Sequence, residues 1–195
     1  MVEFLRRWRR DDVGALADIY ARADTDLLSN IPDDRSPAGA QAWLDRIRSA
    51  EDEGTAAAYA IVAGDLTPVG NVMATAIEQR HSTAWISYWL DPSVRSHGLA
   101  AAGLRSLVDR LHDELDVYRL ELGYRVDNPA SGGVAKSAGF AVEGRERERL
   151  LYDGFRFDTV VCARLCGDQR VSGTRLPILA SSTPPPDDGD SAVSR

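Results

Sequence analysis

The stretch Arg95-Ser-His-Gly-Leu-Ala100 carries residue types that suit anion binding. It lies between an alternating apolar run that ends at Leu90 and a long helical pattern, so it should lead from a strand into a helix N-terminus. The first N–H groups of a helix lack internal partners and carry about half a positive charge. Gly98 and Ala100 are small enough to let a phosphate approach that backbone, and Arg95 adds a positive charge. The stretch predicts a phosphate cradle; an ordinary strand-to-helix turn is the alternative.

A pair of carboxylates lies in the segment Gly144-Arg-Glu-Arg-Glu-Arg-Leu-Leu151. Strand side chains alternate between two faces, so Glu146 and Glu148 share one face. Four apolar residues have the same parity: Phe140, Val142, Leu150 and Tyr152. Without a bulge both carboxylates point to the apolar side, where a charge is costly unless it is paired or functional. We expect Glu148, then Glu146, to act as a general base or to bind a substrate amine; the alternative is a solvated charge ladder.

The order of secondary-structure signals predicts a scaffold of mixed α/β class. Alternating runs predict strands at 57–63, 69–77, 84–90 and 117–126, and a weaker one within 3–10. Helical spacing predicts helices after Asp11-Asp12, from Ser36-Pro37, from near His97 and after Asn128, the last ending at Gly139. Asp153-Gly154 predicts a closing hairpin. The strand–helix–strand stretch from 84 to 126 predicts a right-handed crossover between parallel strands.

Composition limits the classes of protein to which this chain can belong. Its 195 residues are 44% hydrophobic, which suits one domain with a sizeable core, expected at residues 1–166. The net charge of -7 argues against nucleic-acid or anionic-membrane binding, and no apolar run is long enough to cross a bilayer. We therefore expect a soluble, cytoplasmic protein. Residues 167–195 end in a Ser-, Pro- and Asp-rich stretch, which predicts a disordered tail.

The two cysteines, Cys162 and Cys166, lie four positions apart. On one strand that spacing separates them by roughly 13 Å, which is too far for a disulfide. No histidine lies near them at the spacing of metal ligands. We expect two reduced thiols and no metal.

Three segments in one order resemble the GNAT superfamily of N-acetyltransferases, in particular its RimJ/RimL-like branch. They are ISYWLDPSVRSHGLA at 86–100, YRLELGYRVDNPAS at 118–131 and SAGFAVEG at 137–144. The Asn-x-x-Ser motif, with Gly-Phe eight residues after its Ser, is typical of the branch. The resemblance covers about residues 3 to 165. It implies the GNAT acyl-CoA N-acyltransferase fold, a single domain with a central mixed sheet flanked by helices.

The resemblance also implies acetyl-CoA as co-substrate and a place for each of its parts. The pyrophosphate would lie on the cradle residues, which are Arg95, Ser96, His97, Gly98, Leu99 and Ala100. The pantetheine arm would lie in a splay between the strands that end at Leu90 and Val126. Asn128 would contact that arm, and a backbone N–H near Leu90 would meet the thioester carbonyl.

This sequence matches the catalytic residues of the family only in part. Ser131 would lie beside the CoA sulfur as an acid; the alternative is a first-turn residue that bonds a free backbone group. Ala135 stands where many members of the superfamily carry a tyrosine acid. Some RimL-like enzymes carry an acidic residue on the strand of Glu148, but an ungapped count puts Leu150 at that position. Water could also take the proton of the amine.

The segment around the first two helices selects the acceptor in this family. Here it carries Asp24, Asp26, Asp33 and Asp34, which we expect to attract a cationic amine; a polar loop with capping aspartates is the alternative. The resulting prediction is an enzyme that transfers acetyl to a primary amine, either a protein N-terminus or a small molecule. It would act as a monomer or homodimer. A non-catalytic acyl-CoA-binding or sensing module is the alternative.

Overall fold

The computed structural model describes residues 2–28 and 30–179. The helices are α1 (Val13–Ala21), α2 (Thr25–Leu28), α3 (Pro37–Asp52), α4 (Leu99–Asp113) and α5 (Pro129–Ser137). The strands are β1 (Phe4–Arg7), β2 (Ala57–Ala63), β3 (Thr67–Glu78), β4 (Thr83–Leu90), β5 (Arg119–Arg125), β6 (Ala141–Tyr152), β7 (Phe155–Leu165) and β8 (Ile178–Leu179). Short 3-10 turns at Arg10–Asp12 and Pro92–Val94 precede α1 and the cradle stretch.

The strands form one mixed sheet in the order β6-β7-β5-β4-β3-β2-β1-β8. Neighbouring strands are antiparallel except β4 with β5 and β1 with β8, which are parallel. The parallel pair β4 and β5 is connected through α4, which confirms the predicted strand–helix–strand connection between parallel strands. The hairpin of β6 and β7 turns at Asp153 and Gly154, as predicted. These features confirm the mixed α/β class.

The parallel strands β4 and β5 separate soon after they meet. They pair only from Thr83 to Trp85 on β4, although β4 continues to Leu90 and β5 to Arg125. On its other side, β4 is paired with β3 as far as Leu90. Because β4 stays paired with β3 but does not pair with β5 beyond Trp85, the sheet opens into a wedge at the C-terminal ends of β4 and β5.

Two apolar cores cover the two faces of the sheet. One lies under α1 and α3 and contains a ring cluster in which Trp8 is 5.5 Å from Trp43 and 6.2 Å from Trp89. The other lies under α4 and α5 and includes Leu104, Leu107 and Leu111. Both faces of β2 are buried, which explains its continuous apolar sequence. The α4 residues follow the predicted amphipathic stripe.

The helix starts follow the signals in the sequence. The Ser36 hydroxyl accepts a hydrogen bond from the Gly39 amide at 3.2 Å, and Pro37 is the first residue of α3. The Asn128 side chain caps α5 in the same way, from the Ser131 amide at 2.9 Å. Gly139, at φ 84°, follows the end of α5.

The described part of the predicted tail, residues 167–179, is not disordered, so that prediction is wrong for this segment. It passes over α4, where Arg175 donates to Asp109 at 2.9 Å and Leu176 is buried. It then adds β8 beside β1, and Leu5 donates its amide to the Pro177 carbonyl at 2.8 Å. Composition alone suggested that the entropy cost of ordering this segment would keep it disordered. The buried leucine and the pairing of β8 with β1 offset that cost. Residues 180–195 lie outside the described residues.

Both cysteines are unpaired, Cys162 buried and Cys166 exposed. Within the described residues, none of the helices is both long and apolar enough to cross a membrane.

Candidate functional site

A cavity of about 330 Å³ lies in the wedge between β4 and β5. It runs from the cradle loop and the start of α4, along the end of β4, to the first turn of α5. Its lining is Asp26, Leu27, Asn30, Tyr88, Trp89, Leu90, Arg95, Ser96, Gly98, Leu99, Ala100, Ala101, Asn128, Ala130, Ser131 and Val134. Five of the six predicted cradle residues lie here. The sixth, His97, does not line the cavity; it is exposed, with its ring 3.4 Å from the Val94 carbonyl.

The cradle loop has an unusual backbone. Ser96 and Gly98 both have positive φ, 69° and 79°, and Gly98 is the residue from which α4 starts. The positive φ of Ser96 is a strained conformation for a residue with a side chain, and such strain is concentrated at functional sites. A Cβ added at Gly98 would meet no atom within 4 Å, so the space beside its backbone is open.

The N-terminus of α4 faces this open space with free donors. The first helical bond runs from the Ala102 amide to the Gly98 carbonyl at 2.9 Å. The amides of Leu99, Ala100 and Ala101 precede it and have no partner inside the helix. All three residues line the cavity, and α4 has no acidic residue in its first turn. This end of the cavity can therefore hold an anion.

Arg95 connects the cradle to two other parts of the site. Its guanidinium donates to both carboxylate oxygens of Asp24, at 2.6 and 3.0 Å. It also donates to the Leu90 carbonyl at 3.3 to 3.4 Å. The hydrogen bonds from Arg95 hold the pKa of Asp24 below its usual range. Asp24 also accepts from the Leu27 amide at 2.9 Å, which caps α2.

The end of β4 directs one amide into the wedge. The Asp91 amide donates to the Val69 carbonyl of the β3 side at 2.8 Å. Because successive amides of a strand point to opposite sides, the Leu90 amide points away from β3, toward the wedge. A donor at this point can bind a carbonyl oxygen on which negative charge develops.

Ser131 lies at the opposite wall, where α5 begins. Its amide is capped by Asn128, and its hydroxyl is 3.0 Å from the Tyr88 hydroxyl. Tyr88 also donates to the Ser131 carbonyl at 2.8 Å. Burial raises the pKa of Tyr88 to about 12, so this side chain stays protonated at neutral pH. The Ser131 hydroxyl thus bonds a tyrosine rather than a free backbone group.

A second cavity, of about 500 Å³, adjoins the first and is lined by residues of β5 and of the β6–β7 hairpin. Asn30, Asn128 and Ser131 line both cavities, so the two meet at these residues. The second cavity is also lined by six charged side chains: Arg119, Arg125, Arg149, Glu121, Glu143 and Glu146. The first cavity thus combines an anion cradle with a narrow wedge, and the second has a polar wall.

Most of these charges are paired with each other. Arg119 donates to Glu121 at 2.6 Å and to Glu143, and the hydrogen bond from Arg119 lowers the pKa of Glu143. Arg149 lies 3.6 Å from Glu146 in a more exposed pair. A carboxylate with a lowered pKa is a weak base, so Glu143 is a poor candidate for taking a proton from a substrate.

The predicted apolar orientation of Glu146 and Glu148 is wrong. The ladder of β6 with β7 is irregular between Val142 and Gly144 and again between Glu146 and Leu150. Glu148 has φ 52° in the second irregularity, and its amide donates to Asp158 at 2.8 Å. The first irregularity inserts one residue into β6 and so changes the parity of the side chains that follow it; the second inserts two residues and takes Glu148 out of the ladder. Both glutamates are exposed; Glu146 lines the second cavity and Glu148 lines neither.

The four predicted acceptor-site aspartates do not gather at one place. Asp26 lines the first cavity and lies 3.6 Å from Arg125. Asp24 is paired with Arg95 behind the cavity wall. Asp33 and Asp34 line neither cavity, and Asp34 accepts from the Ser36 amide at 3.0 Å. At least Asp24 and Asp34 cap or brace local turns, as the alternative reading supposed.

Several residues of the site were not predicted from the sequence: Tyr88, Arg119, Glu121 and Glu143. Arg119 and Glu121 stand two apart on one strand, so their shared face was available as a signal. Tyr88 gave no signal, because its partner Ser131 is 43 positions away. Among the described residues there is no group of three or more His, Cys, Asp or Glu that could hold a metal ion.

Comparison with known proteins adds an independent line of evidence. Residues 4–141 match the family model of the acetyltransferase (GNAT) domain. The ribosomal-protein-serine acetyltransferase of Escherichia coli (strain K12) is 31% identical over 101 residues, which are 52% of this chain and 56% of that protein. The probable N-acetyltransferase YjcK of Bacillus subtilis (strain 168) is 35% identical over 86 residues, 44% of this chain and 48% of that protein. The chain spans about half the length of these two curated relatives.

A third relative and two solved structures extend the comparison. The L-amino acid N-acetyltransferase AaaT of Escherichia coli (strain K12) is 27% identical over 123 residues, 63% of this chain and 75% of that protein. RimL, a ribosomal L7/L12 alpha-N-protein acetyltransferase in complex with coenzyme A, superposes with a TM-score of 0.77 at 25% identity, over 85% of this chain and 94% of that one. Mycobacterium smegmatis RimJ, with a TM-score of 0.74 at 22% identity over 84% and 81%, shares the fold.

Proposed function

Because the chain belongs to the GNAT acetyltransferase family, we propose that it transfers an acetyl group from acetyl-CoA to a primary amine. One observation carries the proposal. The first cavity connects an anion cradle at the N-terminus of α4 with a hydroxyl at Ser131, through a wedge in the sheet. A long thin donor that has phosphates at one end and a reactive group at the other fits this shape.

We assign the donor to the first cavity. The pyrophosphate would accept from the amides of Leu99, Ala100 and Ala101, and Arg95 would add charge. The pantetheine arm would lie along the free edge of β4, with Asn128 offering its side-chain amide. The thioester carbonyl would accept from the Leu90 amide, which would stabilise the oxyanion that forms during attack. Two observations support this assignment: the first amides of α4 lack partners inside the helix, and the chain belongs to the acetyltransferase family.

We assign the acceptor to the second cavity. The two cavities meet at Ser131, so an amine that enters from the second cavity reaches a thioester held in the first. Attack is direct: the amine nitrogen bonds the carbonyl carbon and the sulfur leaves. Glu146 is our candidate for receiving the amine proton, with water as the alternative; Glu148 lines neither cavity, so we do not assign it that role.

The acceptor we propose is an α-amino group. The names of three similar proteins describe acetylation of a ribosomal protein, of an L-amino acid and of a protein at its α-nitrogen. An α-amino group has a pKa of about 8, against about 10.4 for lysine, so a useful fraction is neutral near pH 7.5. Such an acceptor needs little help from a base, which suits a site whose carboxylates Glu121 and Glu143 are paired with Arg119.

Release of free CoA thiol tests this function. The expected result is release that depends on an amine, with short peptides that have a free N-terminus preferred over N-blocked peptides that contain lysine. Release with the lysine peptides alone would contradict the proposed acceptor. The absence of release with any amine, despite binding of acetyl-CoA, would favour the alternative of a non-catalytic acyl-CoA-binding module.

Thermal unfolding tests the donor separately. Acetyl-CoA at about 100 times its Kd should add roughly 2.7 kcal/mol. For a chain of this size that is a rise in Tm of about 5 to 10 °C. ATP and NAD are the controls, and Arg95→Glu should reduce the rise because it reverses the charge beside the cradle. An equal rise with ATP would argue for a general nucleotide site instead.

A further inference from the structure

Tyr88 is a partly buried tyrosine whose hydroxyl bonds Ser131, the candidate acid. It lies on β4, two residues before Leu90, and it faces the first turn of α5 across the wedge. Its hydroxyl is within hydrogen-bond distance of two atoms of Ser131, the carbonyl oxygen at 2.8 Å and the hydroxyl at 3.0 Å. Tyr88 thus bonds Ser131 from across the wedge, between the two strands that separate.

The direction of these two hydrogen bonds follows from counting protons. A carbonyl oxygen only accepts, so the single proton of Tyr88 goes to the Ser131 carbonyl. The Ser131 hydroxyl then donates to the Tyr88 oxygen. Because either hydroxyl can be the donor in this pair, a turn of the Tyr88 proton to the Ser131 oxygen frees the serine proton for another acceptor. Two bonds to one residue fix both the position of the first turn of α5 and the rotamer of Ser131. Without Tyr88, the Ser131 side chain would be free to choose among staggered rotamers.

We propose that Tyr88 is a positioning residue, which holds the Ser131 hydroxyl at the junction of the two cavities so that it can protonate the departing sulfur. This inference rests on the proposed function. As the amine nitrogen bonds the carbonyl carbon, the C–S bond breaks and its electron pair stays on sulfur. Tyr88 turns its proton to the Ser131 oxygen, and the Ser131 proton passes to sulfur, which gives the CoA thiol. Ser131 then recovers a proton from solvent, and the amine nitrogen loses one to Glu146 or to water.

Two other groups with ionisable protons lie nearby, Tyr124 and Cys162, both in the second cavity. The Tyr124 ring packs against Gly132, where an added Cβ would lie 2.9 Å from it. Burial raises the pKa of Tyr124 and of Cys162, so both are protonated at neutral pH. The geometry favours Ser131 as the donor, because it alone of these groups lines both cavities.

The test measures the pKa of the thiol of bound CoA, by recording the ultraviolet absorbance of the thiolate as the pH is raised. The complex with desulfo-CoA, which lacks the sulfur, supplies the blank for tyrosine ionisation. A positioned donor stabilises the thiolate, so the wild-type protein should lower the thiol pKa by about one unit, a tenfold effect on ionisation. Tyr88→Phe and Ser131→Ala should each remove most of that shift. The double variant should match Ser131→Ala, because Tyr88 acts through Ser131.

Tyr59→Phe is the matched control. Tyr59 is more deeply buried than Tyr88, lies on β2, and its hydroxyl has no hydrogen-bond partner among the described residues. Its removal should leave the thiol pKa unchanged. If Tyr88→Phe titrates like the wild type, or if the double variant shifts the pKa further than Ser131→Ala, the proposal is overturned. If the wild type does not bind CoA at all, the proposed function fails and this inference fails with it.

Turnover supplies a second readout. With an acceptor from the thiol-release screen, Tyr88→Phe should lower kcat about tenfold and leave the KM for acetyl-CoA unchanged, since the cradle that binds the phosphates is untouched. A merely structural role for Tyr88 would raise KM as the wedge loosened. An unchanged kcat would also contradict the proposal.

Discussion

The Arg95 guanidinium donates to both carboxylate oxygens of Asp24, and this pair joins the cradle loop to the segment between α1 and α2. The two side chains are 31% and 44% exposed. An exposed ion pair contributes only about 0.2 to 1 kcal/mol. In the proposed site, a pyrophosphate that entered the cradle would meet an arginine that is already partly neutralised, and whose partner is easily displaced.

Replacing that partner should change the affinity for CoA. Asp24→Asn removes the negative charge beside Arg95 and keeps an oxygen to cap α2. We expect CoA to bind about two- to fivefold more tightly, because the anion no longer competes with a carboxylate. Calorimetric titration measures this, with Asp18→Asn, an exposed aspartate on α1, as the control for net charge. Weaker binding in Asp24→Asn would mean that Asp24 presents Arg95 to the ligand instead of competing with it.

Glycine substitutions should have opposite effects at two positions. Gly98→Ala forces a side chain into φ 79° and should cost about 1 kcal/mol of stability. Gly133→Ala lies inside α5, where an added Cβ meets no atom within 4 Å, and should add up to about 1 kcal/mol. Urea unfolding measures both. Equal effects at the two positions would show that backbone conformation does not distinguish them.

The segment 167–179 should contribute to global stability. Leu176 is the buried leucine of this segment, so Leu176→Ala should cost about 2 to 4 kcal/mol. Leu151→Ala removes an exposed leucine of β6 and should change stability by less than about 0.5 kcal/mol. The midpoint of urea unfolding compares the two variants. A small effect at Leu176 would mean that the segment detaches without cost in solution.

The two thiols should react at very different rates. Cys166 is exposed, whereas Cys162 is buried and burial raises its pKa. Only the thiolate is alkylated, so iodoacetamide should modify Cys166 first. The raised pKa also means that unfolding releases a proton from Cys162 at alkaline pH, so its contribution to stability falls as the pH rises above the unfolded value. Mass spectrometry of the Cys166→Ser protein checks the assignment. At neutral pH, iodoacetamide should modify its remaining thiol only slowly.

Local signals predicted the turn into α4 and the helix starts, because the residues that decide them are neighbours. Gly98 sets the turn into α4, and Ser36 with Pro37 starts α3. The face of Glu146 and Glu148 could not be predicted, because counting parity assumes a regular strand and β6 has two irregularities. Composition wrongly predicted disorder for residues 167–179, because the order of this segment depends on its contacts with α4 and β1. The bond between Tyr88 and Ser131 exists only once β4 and α5 are brought together.

The bulges of β6 have a further consequence for how the protein behaves among its own copies. β6 is twelve residues long and forms one border of the sheet, with one side unpaired in the described chain. A long regular border is a template for adding strands from another molecule. Here the two irregularities break the row of donors and acceptors, and the run from Arg145 to Arg149 places charges along it. The two irregularities of β6, which also leave Glu148 outside both cavities, thus protect the protein against edge-to-edge aggregation.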